Sequence, residues 1–586
     1  MQPTKFDISR LKGKLGRIRD WMVNHKIPYK VVFFVMGIVS TVWFLIRVIP
    51  KPQRATYPCM QVAAPFMSGF VTYLLAVAGL TAISRNSRRK IINVRYGATF
   101  MLLAGVVIAM AVMPSTSDQQ QREAVVSTET RTGPEDGPNQ PMGEAKGIFP
   151  GRVVWVYNPE ATNPKFEHND PVNGSNFANP ENNNPAVITK MFRDGVLKLT
   201  GEKNPKKAWD AMFKQFNQRK LGKAKGYEKG EKIFIKINQG QAGWTLNKAD
   251  KENGFALPKT LPKGDSRIVS MEPTETGPYA VLELLRELVN DYGVDQADIA
   301  VGDPMNPIYA HNYNVWVKEF PKVRYVDRTS ATFGRTLIKI TDEPYLFYSD
   351  KKLTDKLHDV LIETDYMIYM AILKPHGAAG VSLTAKLNFG NIGRGGAQHL
   401  HYSHVGNRRE GIATNTGYHK YRVFVDLMGS KYLGNNSVFW CVEGLFGGGS
   451  SEIKGPVKYF MPPFNNGWSN SIFMSLDPVA IESVGYDFLR TEFNGTYKHD
   501  PANNEWETFP NSFGVDDYMH QAADPKNWPE GIIYDPDNTG KPIPVLGVHE
   551  HWNNPIDKQY SRNLGTGKGI ELVSIPENLV KNVKKN

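Results

Sequence analysis

The sequence predicts an α/β soluble domain with a mostly parallel or mixed sheet, preceded by three transmembrane α-helices. Three long apolar stretches lie near the N-terminus, a polar segment rich in helix breakers follows them, and beyond it amphipathic helices alternate with short apolar strands. That alternation is typical of a mostly parallel sheet with helices packed on it. A chain of 586 residues is also too long for one compact core, so we expect more than one structural unit.

The three apolar stretches are predicted to be transmembrane helices at about residues 31–49, 62–83 and 96–113. Arg47 is the one charged residue within them, and each is close to the ~17–25 residues that cross a bilayer as a helix. Residues 1–30 hold eight Lys and Arg, and the loop between the second and third stretches holds five. Because basic loops stay in the cytoplasm, we expect a cytoplasmic N-terminus, an inner-membrane anchor and an extracytoplasmic, periplasmic domain.

The net charge of +12 comes from the N-terminal region. Residues 1–115 contain 16 basic and two acidic residues, whereas residues 116–586 contain 54 basic and 56 acidic residues. A near-neutral domain lacks the one-sided basic field that binds a phosphate backbone. We therefore expect no nucleic-acid partner. The expected partners are the membrane, other membrane-protein subunits and a small anionic ligand.

Two cysteines, Cys59 and Cys441, are present. Two thiols cannot form a disulfide framework, and they cannot supply the four cysteine ligands of an iron–sulfur cluster from one chain. We therefore expect no iron–sulfur cluster. The sequence leaves open whether these two cysteines pair with each other.

The polar segment at residues 114–147 is predicted to be a linker, and residues 148–586 the α/β domain. Strands are predicted at residues 152–157 and 232–237, which are rich in β-branched and aromatic residues. Between them, residues 190–221 have the apolar spacing of surface helices.

Helix and strand patterns then alternate twice. Residues 278–290 form an amphipathic pattern with proline near its start, and they lead into an apolar strand at residues 298–303 that ends in Asp303. A similar step leads from residues 353–362 into residues 366–373. Consecutive strands joined by helices predict a parallel arrangement in this part of the sheet.

The glycine-rich loop after the last of these strands, residues 372–390, is the predicted chemical centre. Ligands gather at the carboxyl ends of strands in such sheets, where Asp303 also falls. We predict that Lys374 binds charge and that His376 transfers protons near neutral pH, with Lys386 and Asn388 as further binding residues. Asp303, Glu443 or Asp426 is expected to hold the imidazole tautomer or to take a proton. The alternative is a group of solvated or structural loop residues.

We predict Glu443, in a second glycine-rich loop at residues 442–451, as a further binding residue. The run Gly447–Gly449 is not followed by Gly-Lys-Ser/Thr, which excludes a phosphate-binding Walker loop. Asp477 precedes a helix that begins with proline, so it is either a helix cap or a further binding residue.

These segments together resemble domain-of-unknown-function family 362 (DUF362). The resemblance extends over about residues 150–575 and is carried by Tyr366–Gly390, Val442–Gly444 with Gly455-Pro456, Asp477–Gly485 and Gly565–Val573. It implies that Lys374, His376, Lys386, Asn388, Glu443 and Asp477 match family motifs. Members often occur beside ferredoxin-like iron–sulfur segments or behind export signals, and the family implies no settled activity. This chain lacks the cysteines of the iron–sulfur members.

Histidines after the loop suggest a divalent metal as a cofactor, although none is specified. In a strand, His399 and His401 would share one face, with His404 nearby, and converging imidazoles suit zinc or a similar metal. The alternative is a set of exposed or hydrogen-bonded loop histidines. His549 and His551 repeat the His-x-His pattern, which fits either a second half-site or a surface strand. Asparagines at residues 465–470 offer oxygen ligands, but no twelve-residue calcium loop is present.

Two hypotheses about function follow. In the first, the domain is an extracytoplasmic enzyme that binds or transforms a small anionic substrate through Lys374, Lys386 and His376. In the second, it is a non-catalytic subunit of a membrane-bound assembly, with its apolar helices packed against partner subunits.

Overall fold

The computed structural model describes residues 41, 136–168, 176–240, 246–257, 265–267, 274–327, 333–406, 415–449, 455–497, 499 and 509–581. The chain divides into two compact units, Met1–Arg131 and Thr132–Asn586. All the elements below belong to the second unit.

Ten α-helices occur in the described ranges of this unit. They are α1 (Pro185–Thr200), α2 (Pro205–Leu221), α3 (Lys248–Glu252), α4 (Pro278–Arg286), α5 (Ala310–Glu319), α6 (Asp359–Ile362), α7 (Thr384–Leu387), α8 (Val423–Gly429), α9 (Pro478–Glu492) and α10 (Asp517–Ala523). The three longest, α1, α2 and α9, begin in the same way, because Asn184, Asn204 or Asp477 caps a helix whose first residue is proline. A capping side chain satisfies an N–H of the first turn, and proline there has no N–H to leave unpaired.

The strands are short and mostly buried. They are β1 (Met142–Gly143), β2 (Arg152–Tyr157), β3 (Ile233–Ile237), β4 (Ile299–Gly302), β5 (Arg324–Asp327), β6 (Thr336–Leu337), β7 (Leu346–Phe347), β8 (Thr354–Asp355), β9 (Tyr366–Ile372), β10 (Lys374–His376), β11 (Gly380–Ser382), β12 (Ser437–Gly444), β13 (Ser471–Ser475), β14 (Val548–His549) and β15 (Glu571–Ile575). The predicted strands at 152–157, 232–237, 298–303 and 366–373 correspond to β2, β3, β4 and β9.

Nine of these strands form one sheet in the order β15-β2-β13-β12-β9-β3-β4-β5-β6. Strand β13 is antiparallel to both of its neighbours, and every other pairing in the sheet is parallel. The α/β class and the mixed sheet are therefore confirmed. Eight strands consequently share one carboxyl edge.

The order of the strands reverses between β3 and β9. After β3 the chain adds β4, β5 and β6 on one side, and it then returns to place β9 and β12 on the other side of β3. In open α/β sheets a crevice forms outside the carboxyl ends of the strands at such a switch point. This topology identifies the edge at which a ligand site is expected.

Side chains of the central strand alternate between two apolar cores. In β9, Met367, Tyr369 and Ala371 join the core that includes α9, whereas Tyr366, Ile368 and Met370 join the core that includes α1, α2 and α4. Strand periodicity of two sends successive side chains to opposite faces. Burial on both faces explains why β9 is a continuous apolar run.

The prediction of transmembrane helices is corrected by the structure. Over the described ranges, no helix is both long and apolar enough to cross a membrane. The longest described helices, α1 and α2, have 16 and 17 residues and carry several lysines, which suits helices that pack one face on a sheet. The predicted spans at 31–49, 62–83 and 96–113 lie outside the described residues, except for Thr41. This finding overturns the predicted inner-membrane anchor and the periplasmic placement that depended on it.

Candidate functional site

Lys374 links the two strands on either side of the switch point. It begins β10, one residue beyond the end of β9. Its buried ammonium donates to the Oδ1 of Asn238, 3.2 Å away, and to the carbonyl of Thr274 at 2.7 Å. Asn238 comes immediately after β3, and Thr274 precedes α4. The lysine therefore holds together the ends of three elements at the carboxyl edge of the sheet.

A buried ion pair lies at the next two strand ends. Lys236 is near the end of β3, Asp303 follows β4, and Lys236 Nζ lies 3.1 Å from Asp303 Oδ1. Burial lowers the pKa of Lys236, and the Asp303 carboxylate opposes that shift. The backbone N–H of Gln239 also donates to Asp303, at 2.9 Å. Asp303 thus contacts both a side chain and a backbone N–H near the end of β3. The structure records no hydrogen bond between Asp303 and His376, its predicted partner.

Gly390 lies directly against this pair. A Cβ atom at this position would be 2.3 Å from Asp303 Oδ1 and 2.6 Å from Lys236 Nζ. These separations are far below contact distance. The glycine that closes the Lys386–Gly390 motif is therefore needed because the ion pair fills the space where a side chain would be.

Glu443 contributes a carboxyl group from β12. One oxygen accepts the backbone N–H of Gly277, the residue that caps the N-terminus of α4. The other, Oε2, is buried and has no hydrogen-bond partner among the described residues. Burial raises the pKa of Glu443 to about 7, and the hydrogen bond from Gly277 opposes that shift. A carboxyl group with this pKa can both donate and accept a proton near neutral pH.

Asn388 and Lys386 extend the site along the loop after β11. The Oδ1 of Asn388 accepts the hydroxyl of Tyr369 in β9 at 2.5 Å. Lys386 lies over the ring of Phe389, with its Nζ 3.6 Å from the ring centroid. Asn388 is therefore fixed to the sheet, while Lys386 is held by a cation–π contact.

His376 is held within its own hairpin. Its Nδ1 accepts backbone N–H groups from Ala378 and Ala379, at 3.0 and 3.1 Å. Burial, with smaller effects of Lys386 and Lys374, lowers the pKa of His376 well below its usual value. The imidazole is consequently neutral, and its catalytic role stays a prediction.

The histidines predicted to bind metal do not all meet. His399 Nε2 lies 2.6 Å from an Asp355 carboxylate oxygen, in a separate contact. His401 and His404 instead lie beside His376, with ring centroids 6.0 and 6.1 Å from it. The structure therefore groups His376, His401 and His404 and places His399 elsewhere.

Asp477 lies at the opposite edge of the sheet from Glu443. Because β13 runs against β12, residue 475 at the end of β13 pairs with Trp440, whereas Glu443 pairs with Ile472. The Asp477 carboxylate accepts N–H groups from the first turn of α9 and from Lys146. The cap is thus observed. Asp477 does not join the group of Lys236, Asp303, Lys374 and Glu443 at the carboxyl edge, which we call the strand-end site.

The structure also brings together a second group of polar side chains, which sequence analysis did not predict as one site. The potential ligand atoms of five residues all lie within 4.8 Å of one another, and the residues are Asp136, Asp516, His520, His549 and His551. Two local signals were available: the His-x-His spacing at 549 and 551, and the four-residue spacing of Asp516 and His520. Neither signal shows that the two pairs meet, and Asp136 is distant from both in sequence.

The family comparison agrees with the resemblance read from the motifs. A model of the family named Domain of unknown function (DUF362) matches residues 270–487. This range contains Lys374, Asp303 and Glu443, but Asp136 and residues 516–551 lie outside it. No curated protein and no solved structure matches the chain.

Proposed function

We propose that the strand-end site binds a small anionic ligand and transfers a proton to or from it. The observation that carries this proposal is the convergence of four buried ionisable side chains at the shared carboxyl edge of β3, β4, β9 and β12. These side chains are Lys236, Asp303, Lys374 and Glu443. The ligand and the reaction are not specified by the family, so the proposal depends on this chemistry alone.

Burial of these groups is costly for the fold. Charged groups lose their hydration when buried, and replacement of buried ion pairs by apolar residues often leaves stability unchanged or higher. The pKa values of two of these groups, Lys236 and Glu443, are shifted by burial, and shifted groups that lie together in this way are more typical of a functional site than of a packed core. Its position at the switch point is also the position of ligands in open α/β sheets.

The charges favour an anionic ligand. Two of the four side chains are lysines: Lys236 pairs with Asp303, and Lys374 donates to Asn238 and Thr274. A carboxylate or phosphate would be attracted by these two ammonium groups. Charge-assisted hydrogen bonds of this kind are roughly twice as strong as neutral ones.

Glu443 is the better placed of the two candidate proton carriers. His376 Nδ1 already accepts two backbone N–H groups, whereas Glu443 Oε2 has no hydrogen bond within the described residues. The raised pKa of Glu443 also brings its titration close to neutral pH. We therefore assign charge binding to Lys374 and proton transfer to Glu443.

Ligand-dependent thermal stability of the full chain tests this proposal. Phosphate and small carboxylates should raise the melting temperature of the wild-type protein, because a ligand that binds the folded state stabilises it. Lys374→Met should abolish the shift, Lys374→Arg should retain part of it, and the exposed Lys223→Met should leave it unchanged. The absence of a shift for the wild-type protein with any anion of this series would contradict the proposal.

The alternative of a subunit in a membrane-bound assembly is not carried forward. It depended on the predicted transmembrane helices, which the structure does not support. No observation on the described residues favours it over ligand binding.

A further inference from the structure

The cluster of Asp136, Asp516, His520, His549 and His551 is built from three separate parts of the chain. Met142 and Gly143 in β1 pair with His549 and Val548 in β14, which brings the segment around Asp136 to the C-terminal region. The backbone N–H of Asn139 also donates to the carbonyl of His551 at 3.0 Å. Asp516, which precedes α10, and His520, which lies within α10, reach the same place as the other three residues.

Local geometry aligns each pair of ligand residues. His549 and His551 are two residues apart in extended chain, so their side chains project to the same side. Asp516 precedes the first residue of α10 and His520 is four residues further on, which places them one helical turn apart on one face. Two pairs with the correct local spacing therefore face each other.

Two imidazole nitrogens in the cluster lack hydrogen bonds. His549 Nε2 and His520 Nδ1 are buried and have no hydrogen-bond partner among the described residues. His551 Nε2 lies 3.5 Å from a carboxylate oxygen of both Asp136 and Asp516, and His520 Nε2 lies 2.9 Å from Asp136. His549 and His520 are 0% exposed. A buried polar atom without a partner costs roughly 1–3 kcal/mol, so two such nitrogens beside two carboxylates require an explanation.

The opposite nitrogens of two histidines are held by neighbours on α9. The hydroxyl of Ser483 lies 2.8 Å from His549 Nδ1, and a carboxylate oxygen of Asp487 lies 2.9 Å from His551 Nδ1. Asp487 is fully buried and also pairs with Arg490 at 2.7 Å. Histidines that ligate metals almost always have such a partner on the second nitrogen, because it orients the ring and leaves the other nitrogen directed at the metal.

We propose that these five residues bind one divalent first-row transition-metal ion. Three imidazoles and two carboxylates form a mixed nitrogen and oxygen donor set, which suits Zn²⁺, Fe²⁺, Co²⁺ or Ni²⁺ better than Ca²⁺ or Mg²⁺. A cation at this point would give His549 Nε2 a partner and would be bound by the carboxylates of Asp136 and Asp516, which now lie beside the imidazoles of His520 and His551. This site differs from the predicted set of His399, His401 and His404.

The ion would connect the N-terminal segment of the described domain to its C-terminal elements. Residue 136 is 384 positions from His520 and 415 positions from His551 in the sequence. Because the ligands come together only in the folded chain, the free energy of metal binding adds to the stability of the fold. Removal of the ion should therefore lower the melting temperature.

The site also borders the loop that carries Lys374. A Cβ at Gly380, in β11 of the Lys374 hairpin, would contact Val515, the residue before Asp516. Leu383 of the same loop packs against Gly485 in α9, between Ser483 and Asp487. The metal site and the strand-end site thus share a packed boundary, although the metal proposal does not depend on the function of the strand-end site.

Metal analysis of the full chain, purified without a histidine tag, tests the proposal. After incubation with Zn²⁺ or Co²⁺ and removal of excess ion, the wild-type protein should retain one equivalent by elemental analysis. The His549→Gln/His551→Gln variant should retain less than about a tenth of that amount. The triple variant His399→Ala/His401→Ala/His404→Ala is the matched control and should bind metal as the wild-type protein does.

A conservative variant keeps the test informative if the double variant fails to fold. Asp487→Asn removes the charge behind His551 without removing a ligand, and loss of such a partner typically weakens metal affinity about 10–100-fold. Folding is checked by circular dichroism, and chelation should lower the melting temperature of the wild-type protein but not of His549→Gln/His551→Gln. Failure of the folded wild-type protein to take up either ion would overturn the proposal and indicate a cluster of imidazolium–carboxylate ion pairs. Retention of metal by the folded double variant would overturn it as well.

Discussion

Lys236 and Asp303 form an ion pair across neighbouring strand ends, with 3.1 Å between Nζ and Oδ1 and less than 5% exposure of either side chain. The pair joins β3 to the end of β4 next to the switch point. Lys236 also donates to the carbonyl of Ile237 at 2.6 Å, and Met305 N–H donates to Asp303 at 3.3 Å. Each of the two charged groups is therefore stabilised by backbone hydrogen bonds as well as by attraction to the other.

Breaking this pair should destabilise the protein strongly. Lys236→Met leaves the Asp303 charge buried without its partner, and we expect a loss of about 3–5 kcal/mol in the free energy of unfolding. Urea denaturation measures this loss. The exposed Lys248 in its pair with Glu252 is the control, and Lys248→Met should change stability by less than about 1 kcal/mol.

The double variant Lys236→Met/Asp303→Asn should lose less stability than the sum of its two single variants. With both charges removed, neither variant residue leaves an unpaired ion in the core. Additive losses would show that the two charges do not interact in solution.

Alanine at position 390 should be poorly tolerated. The added Cβ would overlap Asp303 and Lys236, whose positions are set by the ion pair, so we expect Gly390→Ala to cost about 1–3 kcal/mol. Gly240→Ala is the control, because the nearest described atom to its Cβ, outside its chain neighbours, is 3.9 Å away. Thermal or urea unfolding of both variants checks the difference. Equal stability of the two variants would mean that the pair moves aside without cost.

The raised pKa of Glu443 predicts that the free energy of unfolding of the protein changes with pH. The folded state raises this pKa from 4.5 to about 7, so folding favours the protonated form. Stability associated with Glu443 is therefore fully present below about pH 4.5 and is lost as the pH rises through about 7. The shift corresponds to about 3 kcal/mol.

Glu443→Gln isolates this effect because glutamine stays neutral. Relative to the wild-type protein, the variant should gain stability by up to about 3 kcal/mol between pH 4.5 and 8. Urea unfolding at several pH values measures the difference between the two proteins, which removes the contributions of other buried carboxyl groups such as Asp426. A difference that does not change with pH would show that Glu443 titrates normally.

Much of the strand-end site followed from sequence alone. Apolar runs and their alternation with amphipathic helices predicted β2, β3, β4 and β9, and the loop after β9 does carry Lys374 to the carboxyl edge. Lys236 was missed, because it lies inside an apolar run and a lysine there looks like a solvent-facing strand residue. Only the burial of both faces of β3 shows that its charge needs Asp303.

Apolar length and composition predicted three membrane spans near the N-terminus, whereas no helix in the described ranges is long and apolar enough to cross a membrane. Asp477 shows a different limit. Its role as a cap followed from its position before proline, but its distance from Glu443 depended on the direction of β13. Strand direction is set by long-range pairing, which local sequence patterns do not specify.

The sequence by itself determined the local elements: the α/β alternation, the capped helices, the glycine-rich loops and the two-residue spacing of His549 and His551. These features depend on side-chain periodicity and backbone preference within a few residues. Tertiary structure decided which of them meet. Pairing of β1 with β14 and packing of α10 bring Asp136 and His520 to the two histidines, because burial of apolar surface and satisfaction of backbone hydrogen bonds select contacts between residues far apart in the chain.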